Sequence, residues 1–291
     1  MGHRSLPYNM TQAMVSVLSH TVVASDTRAP QRRLVVLHGA FGAGHNWRTI
    51  ARTLVRQRPD WSVILPDLRL HGGSQGFLPP HTLRNAASDI ATLIQALGTR
   101  ADAILGHSLG GKVALRYVAD YPSGLEQLWV VDATPAPEPH VGSPWQMLRT
   151  VRALSPEFDS RTDVAAALVR AGFTPVVAQW MTSNLEQVGR RYRWRLDFNA
   201  IEGLLDDASA ADLWSVVADT ARTTTLHFIK ATDSDVLSPE ALQRLRTASG
   251  TGEVSTHTLV GGHWIQADNP DGVVGLLTQH LPRGVPRPRP P

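Results

Sequence analysis

Gly106-His107-Ser108-Leu109-Gly110 sets a serine between two glycines, after the apolar run Ala101-Asp102-Ala103-Ile104-Leu105 and before the helix-like stretch Gly111–Val118. A serine hydroxyl is a weak nucleophile at neutral pH and needs a base within hydrogen-bond reach. In a strand–turn–helix setting, Gly-x-Ser-x-Gly makes a strained turn that lifts the hydroxyl clear of the sheet. The glycines answer a steric demand, because a Cβ would clash where strand and helix press together. The chemistry predicted is acyl transfer through Ser108, provided the chain also supplies a base, an acid and donors for an oxyanion.

Active-site groups of open parallel sheets gather beyond the carboxyl ends of the strands. The apolar runs of this chain end on His38, Asp67, Ser108, Asp132, the Lys230/Asp233/Asp235 loop and His263. His263, in Gly261-Gly262-His263-Trp264, is the candidate base, because a glycine-flanked loop lets an imidazole hang over the sheet edge. Two stations compete for the acid. Asp132 ends the run after the serine's helix and should lie one strand from Ser108, whereas Asp233 and Asp235 end the following run. The later loop is the commoner station, and either choice keeps the chain order Ser…Asp…His. On position alone the later loop is favoured. The N–H groups of Leu109 and of Ala40, in the His38-Gly39-Ala40 loop, are the expected oxyanion donors. His38 and His107 read as buried histidines that shape these loops, and Asp67 and Arg69 as an ion pair within their own loop.

Elements must hold these residues in place. Buried strands are expected at 34–37, 62–65, 101–105, 128–131 and 225–229 and near 254–260, after a first strand near 15–23. Helices are expected over 47–58 with Asn46 as cap, over 83–97 stopped by Gly98, from the serine to Tyr121, near 239–246 and near 271–281. The steady alternation implies an α/β class with a doubly wound, mostly parallel sheet. Pro135-Ala136-Pro137-Glu138-Pro139 breaks it, and 140–220 reads as helical throughout. The expected organisation is a core of 15–134 and 221–282 with a helical cap, 135–220, inserted between strands. Residues 1–14 read as an irregular lead-in and 283–291 as a disordered Pro/Arg tail.

The 291-residue chain is 42% hydrophobic and 18% charged, ordinary for a soluble domain. It has no cysteine, which excludes disulfides and thiolate metal sites, and no His/Asp/Glu spacing points to a metal. Gly39–Gly44 lacks the Lys-Ser/Thr of a phosphate loop, and no cofactor is expected. No run approaches a membrane span and Met1–Val23 is too polar for a signal peptide, so a cytoplasmic enzyme is the expectation. A net charge of +3, with Lys112 and Lys230 as the lysines, does not make the basic stripe that nucleic acid requires. Arg190–Arg195 reads instead as a solvated helix face. The insert is rich in aromatics, and Trp180, with Phe41 and Trp264, is expected to wall an apolar pocket over Ser108.

With these residues in hand, the chain resembles the α/β-hydrolases, and within them the ABHD11-like esterase group. The resemblance is carried by His38-Gly39-Ala40-Phe41-Gly42-Ala43 with Asn46-Trp47, by Asp67–Ser74 and by Gly106–Lys112. Val131-Asp132-Ala133-Thr134-Pro135, Thr182-Ser183-Asn184-Leu185, Tyr192-Arg193-Trp194-Arg195 and Gly262–Asp268 continue it, so that it covers residues 15–282. It implies the α/β-hydrolase fold and cofactor-free hydrolysis of small to medium apolar esters or thioesters through an acyl-enzyme. That group takes its acid from the strand after the serine's helix, in a Val-Asp-x-x-Pro setting that Asp132 matches. The resemblance thus implies a catalytic set of Ser108, Asp132 and His263. The group's later loop usually lacks an aspartate, whereas this chain has both Asp233 and Asp235, a departure that keeps that loop in play. Perhydrolase, haloperoxidase and C–C bond hydrolase chemistry share the same triad, and a ligand receptor with a vestigial triad is the non-enzymatic alternative.

Overall fold

The computed structural model describes residues 16–122, 124–248 and 254–284, so the lead-in expected over 1–14 and residues 285–291 of the expected tail lie outside the described residues. The chain begins with β1 (His20–Val23), β2 (Arg32–Leu37), α1 (Arg48–Gln57), β3 (Trp61–Pro66), α2 (Leu83–Ala96), β4 (Ala103–His107), α3 (Leu109–Asp120) and β5 (Gln127–Val131). An excursion follows: α4 (Ser143–Ala153), β6 (Glu157–Phe158), α5 (Arg161–Arg170), α6 (Pro175–Met181), β7 (Leu185–Val188), β8 (Arg191–Trp194), α7 (Phe198–Ala210) and α8 (Trp214–Ala218). The chain then returns through β9 (Thr225–Ala231), α9 (Pro239–Ala248), β10 (Val254–Leu259), α10 (Ile265–Asp268) and α11 (Pro270–His280).

The main sheet has the order β1-β3-β2-β4-β5-β9-β10, parallel except for the antiparallel edge strand β1. Its central strands are continuous apolar runs because both faces are covered. Successive side chains alternate, so Leu34 and Val36 join the core under α1 and α11 while Val35 and Leu37 join the core under α2 and α3. β3 lies on one side of β2 and β4 on the other. The strand order therefore reverses between β2 and β4, and such a switch point opens a crevice beyond the carboxyl ends of those two strands.

Three expectations are corrected here. The excursion is not helical throughout, because β6, β8 and β7 form a small antiparallel sheet. In β8 the half-buried Tyr192 and Trp194 alternate with exposed Arg191 and Arg193, a period-two pattern too short to stand out against helical neighbours. The arginines expected on a helix face thus sit on a hairpin strand, where Arg193 pairs with Glu186 at 2.7 Å and Arg191 with Glu157 at 3.5 Å. Asn46 does not cap α1. A 3₁₀ turn, Gly44–Trp47, precedes that helix, and the Asn46 side chain accepts from Ala43 N at 2.6 Å within it. No helix among the described residues is long and apolar enough to cross a membrane.

Candidate active site

Ser108 joins β4 to α3 with φ = 53°, a left-handed conformation that costs a side-chain-bearing residue about 1–3 kcal/mol. The fold compels it: Ser108 N donates to Val131 O at 3.0 Å, and Ser108 O accepts from Gly111 N at 2.8 Å. A Cβ on Gly106 would collide with the Gly110 carbonyl, and one on Gly110 with the carbonyl oxygens of Leu37 and His38. Both glycines are therefore needed where strand, helix and the loop after β2 converge. Asp132 (φ = 45°) and Phe41 (φ = 61°) are left-handed too. Three such residues at neighbouring strand ends mark where the fold stores strain.

The neighbouring strands β2, β4, β5, β9 and β10 bring their end loops side by side. Ser108 Oγ lies 3.1 Å from His263 Nε2, and His263 Nδ1 lies 2.7 Å from Asp132 Oδ2. Asp132 is 0% exposed. Its Oδ2 also accepts from Ser234 Oγ at 2.5 Å, and its Oδ1 from Ala231 N at 3.2 Å. Burial pushes this carboxyl up, but the hydrogen bonds from His263, Ser234 and Ala231, with the imidazole's charge, hold it below the usual carboxylate range. The carboxylate that meets the imidazole is that of Asp132. Asp233 and Asp235 are exposed, and the later loop turns inward Ser234, the residue between them.

His263 is positioned by its loop. Gly261 takes φ = 143°, Gly261 N donates to Thr232 Oγ1 at 3.1 Å, and Gly262 N donates to Asp268 Oδ2 at 2.9 Å. The His263 carbonyl accepts from His107 Nε2 at 2.7 Å. Burial pushes the His107 imidazole down to about 3, with the nearby His263 adding to the effect, so the ring is a neutral structural donor.

Beside Ser108, the loop after β2 offers its backbone. Phe41 N donates to His71 Nε2 at 3.0 Å and Gly42 N to Gly39 O at 3.1 Å, whereas the amides of Ala40 and Leu109 find no acceptor among the described residues. Two buried histidines tie this loop to the one after β3. His38 donates through Nδ1 to Gly39 O at 2.8 Å and accepts from Leu68 N at 2.9 Å. His71 donates through Nδ1 to Arg69 O at 2.9 Å and accepts from Phe41 N. Burial pushes both imidazoles down, so they stay neutral in the tautomer these bonds require. The expected Asp67–Arg69 pair is not formed. Asp67 accepts from Gly44 N and Gly73 N, each at 2.8 Å, while Arg69 reaches across to Asp89 at 2.6 Å. His71 and Ser234 hold these positions without a signal in residue type or spacing, Ser234 standing between the two aspartates of the later loop.

A cavity of about 520 Å³ opens on Ser108, Leu109 and His263 and is walled by Pro137, Trp145, Leu205, Val236 and Ala241. The three aromatic residues expected there are not on its wall. Phe41 is 4% exposed in the core, and its carbonyl accepts from the buried Asn184 amide at 2.8 Å. Trp180 and Trp264 pack edge to face at 4.9 Å, with Trp264 also against His107 and His263. These rings join α6 to the His263 loop, and the wall comes from α4, α7, the proline segment, the loop after β9 and α9. Lys112 fastens that segment. Its Nζ lies 2.9 Å from each of Ala136 O, Ala208 O and Glu138 Oε2.

A family profile described as alpha/beta hydrolase fold matches residues 32–188. The sn-1-specific diacylglycerol lipase ABHD11 of Mus musculus is 27% identical over 273 residues, spanning 91% of this chain and 85% of the relative. Its Xenopus laevis counterpart is 30% identical over 223 residues, spanning 70% of this chain and 66% of the relative. Among solved structures, a marine microorganism esterase superposes with a TM-score of 0.77 at 22% identity, covering 91% of this chain and 99% of that one. The chain belongs to the α/β-hydrolase fold family, and within it is ABHD11-like.

Proposed function

We propose that the protein is a serine ester hydrolase acting through an acyl-enzyme on small to medium apolar esters or thioesters. The observation that carries this reading is the continuous hydrogen-bond chain from Ser108 Oγ through His263 to the buried Asp132, beside two amides without a partner among the described residues. Ser108 Oγ attacks the acyl carbonyl while His263 Nε2 takes its proton. Asp132 accepts from Nδ1–H, which fixes the tautomer and offsets the imidazolium charge. The N–H groups of Ala40 and Leu109 receive the oxyanion, each such donor being worth about 10²–10³ in rate. The imidazolium then protonates the leaving alcohol or thiol, and water activated at the same nitrogen releases the acid. The apolar wall and the names of the diacylglycerol lipase and esterase relatives support an ester with an apolar acyl group.

Turnover of p-nitrophenyl butyrate tests this. The wild-type protein is expected to hydrolyse it, and Ser108→Ala and His263→Ala are each expected to lower kcat by about 10⁴-fold or more. Wild-type protein without turnover, or Ser108→Ala retaining it, contradicts the reading.

A further inference from the structure

Asp233 and Asp235 are left over once Asp132 stands behind His263, and they line the cavity in front of it. Besides the Asp132–His263 pair, the ionisable side chains on its wall among the described residues are Lys112, Glu138, Asp233 and Asp235. The Lys112 ammonium has three N–H bonds, and Ala136 O, Ala208 O and Glu138 Oε2 engage all three. Lys112 and Glu138 thus cancel. Asp233 and Asp235 are exposed, and neither has a cationic partner among the described residues. Lys230, at the end of β9, is outside the wall and directs its Nζ at the carbonyls of Ala231 and Ser234. The wall therefore carries two carboxylates without a matching cation facing the cavity. They flank Ser234, whose Oγ is 2.5 Å from Asp132, so their Cα atoms stand about 3.8 Å either side of a residue touching the acid.

We infer that this cavity selects esters by charge, with Asp233 and Asp235 as the specificity-determining residues. Neutral or cationic substrates are accepted, and those with a carboxylate or phosphate beside the scissile bond are disfavoured. The inference rests on the ester-hydrolase reading of the same cavity. A carboxylate about 7 Å from a substrate charge in water-like surroundings changes binding by about threefold, and the two act together. Both sites are solvent-exposed, so salt weakens the effect.

Three esters test it: butyrylcholine, its uncharged isostere 3,3-dimethylbutyl butyrate, and the anionic 3,3-dimethylbutyl hemisuccinate. The quantity read is the ratio of kcat/KM for the cationic ester to that for the anionic one, at about 10 mM and about 500 mM salt. The wild-type ratio is expected to fall at least about fivefold in the Asp233→Asn/Asp235→Asn double variant at low salt, and to fall comparably in wild type at high salt. A thermal melt checks that the variant is folded. A ratio unmoved by substitution and by salt, or preference for the hemisuccinate, overturns charge selection. If p-nitrophenyl butyrate is turned over while the ratio stays flat, charge selection alone falls. If it is not turned over, the ester-hydrolase reading falls and takes the selection with it.

Discussion

At the residue scale the decisive contact is between His263 and an acid held from three directions. Asp132 Oδ2 accepts from both His263 Nδ1 and Ser234 Oγ, and Oδ1 accepts from Ala231 N. Asp132→Asn, which keeps the volume and removes the charge, is expected to lower kcat by about 10⁴-fold, and Asp235→Asn by less than about tenfold. The p-nitrophenyl butyrate assay separates the two. Ser234→Ala is expected to concentrate negative charge on Oδ2 and so stabilise the imidazolium. The acid limb of the kcat/KM profile then moves to higher pH and kcat drops, whereas an unmoved limb would leave Ser234 a packing residue. Ser108 and His263 were legible because a glycine-flanked serine and a glycine-flanked histidine each stood after an apolar run. The acid was not legible from position alone, because two loops end beside the histidine. Which one turns under the ring depends on Asp132 adopting φ = 45° and on Ser234 being turned inward.

At the scale of elements, a few buried polar side chains join the excursion to the sheet. Asn184 holds the Phe41 carbonyl, and Lys112 on α3 holds two carbonyls and Glu138. Lys112→Met would leave Ala136 O and Ala208 O without that donor and Glu138 unpaired. It is expected to cost about 2–4 kcal/mol of stability in a urea melt and to raise KM more than it lowers kcat, because the pocket wall loosens while Ser108 stays in place. Unchanged stability and KM would mean the wall is held by packing alone. The central strands were readable from sequence because burial on both faces leaves an unbroken apolar run. The hairpin at β7 and β8 was not, since each strand has four residues and one face is solvated. Trp180 and Trp264 face each other rather than the cavity. Residue type reports a tendency to be covered, and only the packing shows that each ring covers the other.

At the scale of the whole molecule, several histidines are buried without charge. His38 and His71 lie under the loop after β2, His107 under His263, and His227 stacks on Trp129 at 4.0 Å beside His257. Burial lowers all of these, His107 and His227 to about 3. In the unfolded chain such a ring binds a proton near pH 6.5, before the folded ring does. The stability they contribute is therefore present above about pH 6.5 and is lost as pH falls toward the folded values, by about 1.4 kcal/mol per pH unit for each fully buried ring. Melts between about pH 7.5 and pH 5 are expected to show a steep fall in Tm, and His227→Gln to flatten the slope by about one proton. A Tm independent of pH over that range would contradict neutral burial. Composition alone could not reveal this, because histidine is compatible with surface, core and site alike.

In the proposed mechanism everything converges on Ser108 as the activated nucleophile. The most direct measurement is peptide mapping by mass spectrometry after treating the intact protein with a fluorophosphonate that captures activated serines. A single adduct is expected on the peptide containing Ser108, abolished in Ser108→Ala and strongly slowed in His263→Ala. An adduct on another serine, or ester turnover by a protein whose Ser108 stays unmodified, would contradict it.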